Sequence, residues 1–397
     1  MDFQFTEQEE AFRKEVSDFL DREVPPEWMG RYIPTWEATK ENFANARSLY
    51  RKLGEKGWLV LTWPKEYGGI GGTAMQYLIL REELGYRGAQ DLSAAVGFLF
   101  PAIALFGTEK QKEVFLPQIA RGEIEICMGY SEPEAGSDLT NAQSRAVELD
   151  DCYVINGQKI FTSAADMSEY CFFLARTDPK AYKHKGLSMF LVDMKTPGIT
   201  IRPLISMYGS HSTNETFWDD VRVPKDCMVG EKNQGWKVLT TALNHERLSV
   251  GGISFAAAGK KVLESLVRFA KENSRNGRIL AEDPVVRSKL AEIAIEMEIA
   301  RLLSYNIAWL EDKGSEVTYQ ASALKLYTSE LVHRFANVAM NILGPRAQLK
   351  KDSNWALLNG NIEHIYLASV VETVGGGTSE VQKDLVAVMG LGLPKRR

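Results

Sequence analysis

The feature that most constrains this chain is a change of period along its length. Up to Gly122, and again from Gly235, apolar residues recur at helical spacing. Between those stretches they come in short runs rich in β-branched and aromatic residues, broken by Gly, Asn and Pro. Such a pattern segregates helices from strands, so it predicts an α+β multidomain protein. The expected parts are an N-terminal α-helical domain (1–122), a middle β domain (123–232) and a C-terminal helical bundle (233–397). At 397 residues the chain is long enough for several cores.

In the first third, Phe12, Val16, Phe19 and Leu20 repeat at helical spacing behind Thr6 and Glu9, which have the arrangement of a capping box. Further helices are predicted over 36–56, 74–84, 92–106 and 111–119, the last opened by Gly107-Thr108-Glu109. In the middle, Asn156-Gly157 between Tyr153-Val154-Ile155 and Lys159-Ile160-Phe161 predicts a hairpin, because Asn-Gly tolerates the positive φ of a tight turn. Runs at 171–176, 186–193, 199–203 and 215–223 extend this to a small β-barrel or sandwich. In the last third, long helices over 235–273, 285–310 and 316–342, with a fourth after the glycine-rich turn near Gly375, predict a four-helix bundle.

Composition removes several classes of function. A net charge of −5 argues against binding nucleic acid or an anionic membrane through bulk charge. Cys127, Cys152, Cys171 and Cys227 have neither Cys-x-x-Cys spacing nor a histidine cluster beside them, so no metal site and no disulfide framework is expected. Neither a basic leader nor a membrane-spanning run is legible, and a soluble cytoplasmic protein is the expectation.

The chemistry concentrates at Tyr130-Ser131-Glu132-Pro133-Glu134-Ala135-Gly136-Ser137-Asp138, directly after the apolar run 124–128. Glu-Pro and Ala-Gly-Ser-Asp are turn residues, and the stretch can offer main-chain N–H groups and hydroxyls to a planar polar ligand. It resembles the signature of the acyl-CoA dehydrogenases, flavoproteins that desaturate acyl thioesters. Trp63-Pro64-x-x-Tyr67-Gly68-Gly69 and Gly107-Thr108-x-x-Gln111-Lys112 are similar to that family's N-terminal helical domain, so the resemblance spans essentially the whole chain.

The resemblance implies FAD, held by Met128, Tyr130, Ser131, Ser137, Phe161, Thr162, Ser163, Thr378 and Glu380. Phe161 would pack on the flavin ring and Ser163 would hydrogen-bond its N5, where the family more often has Trp and Thr. It also implies an acyl-CoA substrate touching Ser137, Asn244, Arg247 and Gly377, electron-transfer flavoprotein as electron acceptor, and a homo- or hetero-oligomer.

Most members carry a catalytic Glu in the C-terminal turn, but that position here is Gly376, in Val374-Gly375-Gly376-Gly377-Thr378. In the subgroup resembling isovaleryl-CoA dehydrogenase the base comes instead from a Glu-Arg pair on the first bundle helix, here Glu246-Arg247. That makes Glu246 the candidate base, with His245 a rival facing another side of the helix. The Gly376 main-chain N–H would still polarise the thioester oxygen, and burial would raise the carboxyl pKa toward the working range.

Two family motifs that bind the adenosine diphosphate half of a neighbour's flavin are altered. The corresponding stretches read Asn273-Ser274-Arg275-Asn276-Gly277 and Asn341-Ile342-Leu343-Gly344-Pro345. They suggest a different, homologous partner chain. Two alternatives stand beside this reading: an acyl-CoA oxidase or flavin monooxygenase on the same fold, and a non-catalytic or half-site subunit of a mixed assembly.

Overall fold

The computed structural model describes residues 4–29, 40–89, 95–249 and 253–394, with the backbone alone given for residues 42 and 244–249. The chain divides into two compact units, one formed by Met1–Pro34, Gly72–Asp91 and Val250–Arg397, the other by Thr35–Gly71 and Leu92–Ser249. Both mix sequence-distant segments. The N-terminal helices are α1 (Glu7–Glu23), α2 (Lys40–Glu55), α3 (Ala74–Tyr86), α4 (Phe100–Phe106) and α5 (Glu109–Ala120). Of these, α1 and α3 belong to the first unit and α2, α4 and α5 to the second.

Thr6 and Glu9 form both arms of a capping box on α1, and Thr108 and Gln111 do the same on α5. These reciprocal bonds satisfy main-chain donors that a helix start leaves free, which fixes where each helix begins. The early parts of the helices expected over 36–56 and 92–106 lie outside the described residues.

The second unit is built on eight strands: β1 (Ile126–Gly129), β2 (Arg145–Glu148), β3 (Cys152–Ser163), β4 (Tyr170–Arg176), β5 (Leu187–Asp193), β6 (Ile199–Ile205), β7 (His211–Pro224) and β8 (Met228–Val229). They run in the order β6-β7-β3-β2-β4-β5-β8, with β1 paired to β4. This corrects the barrel expectation, because the sheet is open: β6 and β8 end the path without pairing to one another. Pro203, which has no N–H to donate, lies in the edge strand β6, and β2 meets β4 at the single pair Arg145 and Arg176.

The expected hairpin at Asn156-Gly157 is also absent. β3 runs straight through it and pairs with β7 on both sides, with a register shift between Ile155 and Gly157. The dipeptide marks a bulge instead. Asn156 exchanges hydrogen bonds with Asp220 across the strands, at 3.0 and 2.9 Å. A Cβ on Gly157 would lie 2.2 Å from Ser144 Oγ, so glycine serves close approach here rather than a turn.

Helix α6 (Gly235–Ser249) completes this unit by lying on β5, where a Cβ on Gly235 would come 2.5 Å from Ser188 Cα. The sequence predicts one helix over 235–273. The structure describes α6 and then α7 (Ile253–Glu272), and the residues between them lie outside the description.

In the first unit, α7, α8 (Pro284–Asp312), α9 (Tyr319–Leu343) and α10 (Asn361–Glu372) share a core that includes Leu266, Ile293, Met297, Leu331, Phe335, Ile362 and Ile365. The fourth helix of this core precedes the glycine turn, whereas the sequence pattern predicts it after the turn. The helix that follows, α11 (Ser379–Leu385), is short. α3 packs on α7 closely enough that a Cβ on Gly85 would sit 2.5 Å from the Ser254 carbonyl oxygen. Arg13 of α1 pairs with Glu82 and Glu83 of α3 at 2.6 and 2.8 Å.

Candidate functional site

In the sheet unit the signature stretch is a tight turn on a buried ionic anchor. Glu132 and Ala135 exchange main-chain hydrogen bonds at 3.0 and 3.1 Å, leaving Pro133 and Glu134 at the exposed tip. The buried Glu132 carboxylate accepts from the N–H of Gln143 at 2.6 Å, from that of Ser144 at 3.0 Å and from Lys159 Nζ at 2.7 Å. Lys159 is fully buried, donates also to the Tyr130 carbonyl at 3.2 Å, and lies 4.7 Å from the centre of the Phe173 ring. Burial on its own would raise the Glu132 pKa, but Lys159 and the donating amides outweigh it and hold the carboxyl below its ordinary value. Burial pushes the Lys159 ammonium down, against the pull of Glu132.

Beyond the turn, Ser137 and Asp138 are exposed. Asp138 accepts from the Thr140 hydroxyl, which with Lys183 keeps its pKa low. Arg176 at the end of β4 fastens the following residues by donating to the carbonyls of Ala142 and Thr140, at 3.0 and 2.8 Å.

β3 meets this loop at a second bulge. Between Lys159 and Thr162 its register against β7 shifts, and the Ile160 N–H turns to the Ser131 carbonyl at 2.9 Å. Phe161 takes a φ of +57°, a conformation that costs a bulky residue energy, and the residue is 65% exposed. Next to it Thr162 is fully buried; its carbonyl accepts from Asn214 Nδ2 at 3.2 Å, while among the described residues its hydroxyl has no partner. Met128, Tyr130, Ser131, Phe161, Thr162 and Ser163 are thereby gathered where β1, the loop and the end of β3 meet. An outward aromatic face beside an unpaired buried hydroxyl fits the edge and face of a flat heteroaromatic ring.

In the helical unit the turn after α10 carries Gly376 and Gly377 at φ +65° and +92°. Gln382 is fully buried and donates Nε2 to the carbonyls of Gly376 and Gly377 at 3.0 and 3.3 Å. A Cβ on Gly377 would lie 2.6 Å from that nitrogen. Lys325 of α9 donates Nζ to the carbonyls of Glu372 and Gly377 at 3.0 and 2.8 Å. Thr378 caps α11, its hydroxyl accepting from the Val381 N–H at 3.3 Å, and Glu380 is exposed in the first turn of that helix. Gly376, Gly377, Thr378 and Glu380 are thus neighbours in one turn.

Asn244, His245, Glu246 and Arg247 lie on α6; their side chains are outside the description. The two altered stretches of the helical unit come together: Arg275 donates to the carbonyls of Ile342 and Asn341, at 2.5 and 3.4 Å, at the C-terminal end of α9. Cys127, Cys152, Cys171 and Cys227 are all free thiols, and the described residues hold no metal-ligand cluster and no helix long and apolar enough to cross a membrane.

Lys159, Asn214, Lys325 and Gln382 were missed by the sequence reading. For Lys159 the signal was its parity, since it follows Tyr153 and Ile155 on the inward side of β3. For Lys325 it was its place in the buried stripe Ala321, Leu324, Thr328, Leu331 and Val332 of α9.

Comparisons with known proteins agree with this architecture. Models of the acyl-CoA dehydrogenase N-terminal, middle and C-terminal domains match residues 6–123, 127–221 and 233–390. Acyl-CoA dehydrogenase FadE26 of Mycobacterium tuberculosis is 36% identical over 405 residues, covering 100% of this chain and 99% of the relative. FadE29 of the same organism is 36% identical over 352 residues, 88% of this chain and 89% of the relative.

Among solved structures, the Tcur3481-Tcur3483 steroid ACAD superposes with a TM-score of 0.88 at 35% identity, and the ChsE4-ChsE5 complex from Mycobacterium tuberculosis with 0.87 at 35%; both cover 100% of each chain. A glutaryl-coenzyme A dehydrogenase bound to glutaryl-CoA matches at 0.84 and 27% identity, over 100% of this chain and 98% of that one. The chain belongs to the acyl-CoA dehydrogenase family and is an oxidoreductase. Members of the family are flavoproteins.

Proposed function

We propose that this chain removes the α and β hydrogens of a bulky, polycyclic acyl-CoA thioester, giving the 2-enoyl-CoA, in a mixed assembly with a homologous chain. The observation that carries the reading is the end of β3, where Phe161 is held outward at positive φ beside the unpaired Thr162 hydroxyl. Phe161, Thr162, Ser163 and the Met128 to Ser131 segment would hold the FAD ring, with Ser137, Thr378 and Glu380 as further contacts. When bound, FAD supplies the acceptor for the β-hydrogen, which leaves as hydride.

The chain's own residues do the rest. Glu246 takes the α-proton, and Arg247 orients that carboxylate or the pantetheine arm. Asn244, Ser137 and Gly377 contact the thioester. The Gly376 N–H receives the carbonyl oxygen as enolate charge develops, a task that needs no side chain. Glycine at 376 also leaves free the space that a carboxylate occupies in most of the family, which suits a wide acyl group.

The steroid ACAD among the structural neighbours supports the substrate class, and the ChsE4-ChsE5 complex supports a mixed assembly. Arg275 supports it as well, because its guanidinium is engaged by this chain's own α9 carbonyls. The Caffeyl-CoA reductase-Etf complex subunit CarC of Acetobacterium woodii, 30% identical over 390 residues, supports electron-transfer flavoprotein as acceptor.

Two experiments test the reading. E246Q in the flavin-loaded assembly should lower anaerobic flavin bleaching by about 10³-fold while leaving flavin content unchanged, in line with the loss of a general base. Wild-type turnover by E246Q would remove Glu246 as the base. Expressed alone, the chain should retain FAD poorly, with occupancy restored by co-expression of a homologous partner; full occupancy in a homo-oligomer would end the mixed-assembly reading.

A further inference from the structure

The glycine turn is held from behind by two side chains that the chemistry above does not use. Lys325 is 7% exposed, and its single Nζ reaches both the last residue of α10, through the Glu372 carbonyl at 3.0 Å, and the far side of the turn, through the Gly377 carbonyl at 2.8 Å. One ammonium therefore spans the entry and the exit of the segment that contains Gly376. Gln382 reinforces the exit through the carbonyls of Gly376 and Gly377. The entry is pinned again by the Gly375 N–H, bonded to the Val371 carbonyl at 2.8 Å. Among the described residues the Gly376 N–H has no acceptor within the protein.

The two carbonyls do not in themselves call for a charge, and the Glu380 carboxylate also lies within the field of Lys325. Water or a neutral amide would satisfy the carbonyls, whereas desolvating an ammonium is costly. What a charged donor adds is stiffness and field. It complements the C-terminal end of α10, where helix carbonyls carry partial negative charge, and its bonds to carbonyls are stronger than neutral ones. Two glycines in left-handed geometry, one backed by the Gln382 amide, would otherwise leave this turn among the softer parts of the unit.

We propose that Lys325 is a positioning residue for the dehydrogenation. By bridging Glu372 and Gly377 it sets the width of the turn, and so holds the Gly376 N–H where the thioester oxygen gains charge. The inference rests on the family reading of Gly376 as an oxygen donor, but it concerns polarisation of the carbonyl and not removal of the proton.

The test uses the flavin-loaded assembly and cinnamoyl-CoA labelled with ¹³C at the thioester carbonyl, a 2-enoyl thioester with a bulky β-substituent. Difference infrared spectroscopy should place the carbonyl stretch of the bound ligand below its solution value in the wild type. In K325M the stretch should return toward the solution value, with the dissociation constant changed by less than about threefold, kcat reduced about 100-fold and KM little altered, as a misplaced donor predicts. K325R, which keeps a charged donor, should recover part of the shift. Q382M gives a second reading of the same turn should K325M fail to hold flavin.

A wild-type stretch and wild-type kcat in K325M, or no downshift in the wild type, would overturn the proposal. E246Q separates the two claims: it should polarise cinnamoyl-CoA as the wild type does while failing to turn over substrate. Turnover by E246Q would reject the base yet leave the effect of K325M standing.

Discussion

Each unit presents one candidate segment backed by a buried lysine, but the two lysines work differently. In the sheet unit Lys159 meets a carboxylate, Glu132, and together they freeze a loop whose other bonds come from main-chain amides. In the helical unit the bonds described for Lys325 go to two carbonyls. An ion pair sealed from water locks a shape at the cost of fragility, because losing either partner strands a charge. The Lys325 ammonium instead ties together two main-chain carbonyls on either side of a turn, and it also acts on the Glu380 carboxylate. The signature loop is thus fixed by one side chain on another, and the glycine turn by a side chain on main chain.

Three measurements sharpen or break this contrast. K159M should destabilise the sheet unit by about 3–5 kcal/mol in chemical denaturation, since Glu132 keeps its burial without its cation, and E132Q/K159M should recover part of that loss. K325M should cost less, about 1–3 kcal/mol, because the half-buried Glu372 and Gly377 carbonyls would lose a donor. Equal losses from the two variants would erase the distinction.

In pH dependence the two units should differ in sign. Glu132, held below its ordinary pKa, contributes stability that is present above the unfolded value and lost as pH falls through the folded one; E132Q should flatten that acid limb. In the helical unit burial, with Asp312 beside it, pushes Glu311 up to about 7, and its stabilising protonated form is lost as pH rises from the unfolded value near 4.5 through 7. E311Q should raise the Tm at pH 8 relative to wild type and leave it nearly unchanged below pH 4.

Much of the fold was legible because its signals are local. Thr6 with Glu9 and Thr108 with Gln111 announce helix starts through bonds three residues apart, and they form as expected. Where a residue type serves two geometries, the reading failed. Asn156-Gly157 suits a tight turn or a bulge, and only the pairing of β3 with β7 on both sides selects the bulge. α10 was missed because Ile362, Ile365, Val370 and Val371 favour strands and Leu358, Asn359 and Gly360 before it take left-handed conformations, so nothing local declares a helix. The candidate site shows the same division. Turn chemistry and resemblance gave the loop and the glycine turn, whereas Lys159 and Lys325 look like any lysine until tertiary packing seals them.

Arg275 carries a consequence for stoichiometry. The Nη2 of Arg275 is bonded to the carbonyls of Ile342 and Asn341, and in the proposed assembly this subunit would borrow contacts for its own dinucleotide while having little to lend. In the mixed assembly proposed above, loading would then be asymmetric. Alternate interfaces would carry pigment and the rest would be blank, so the purified complex would show roughly half the yellow colour its chain count suggests.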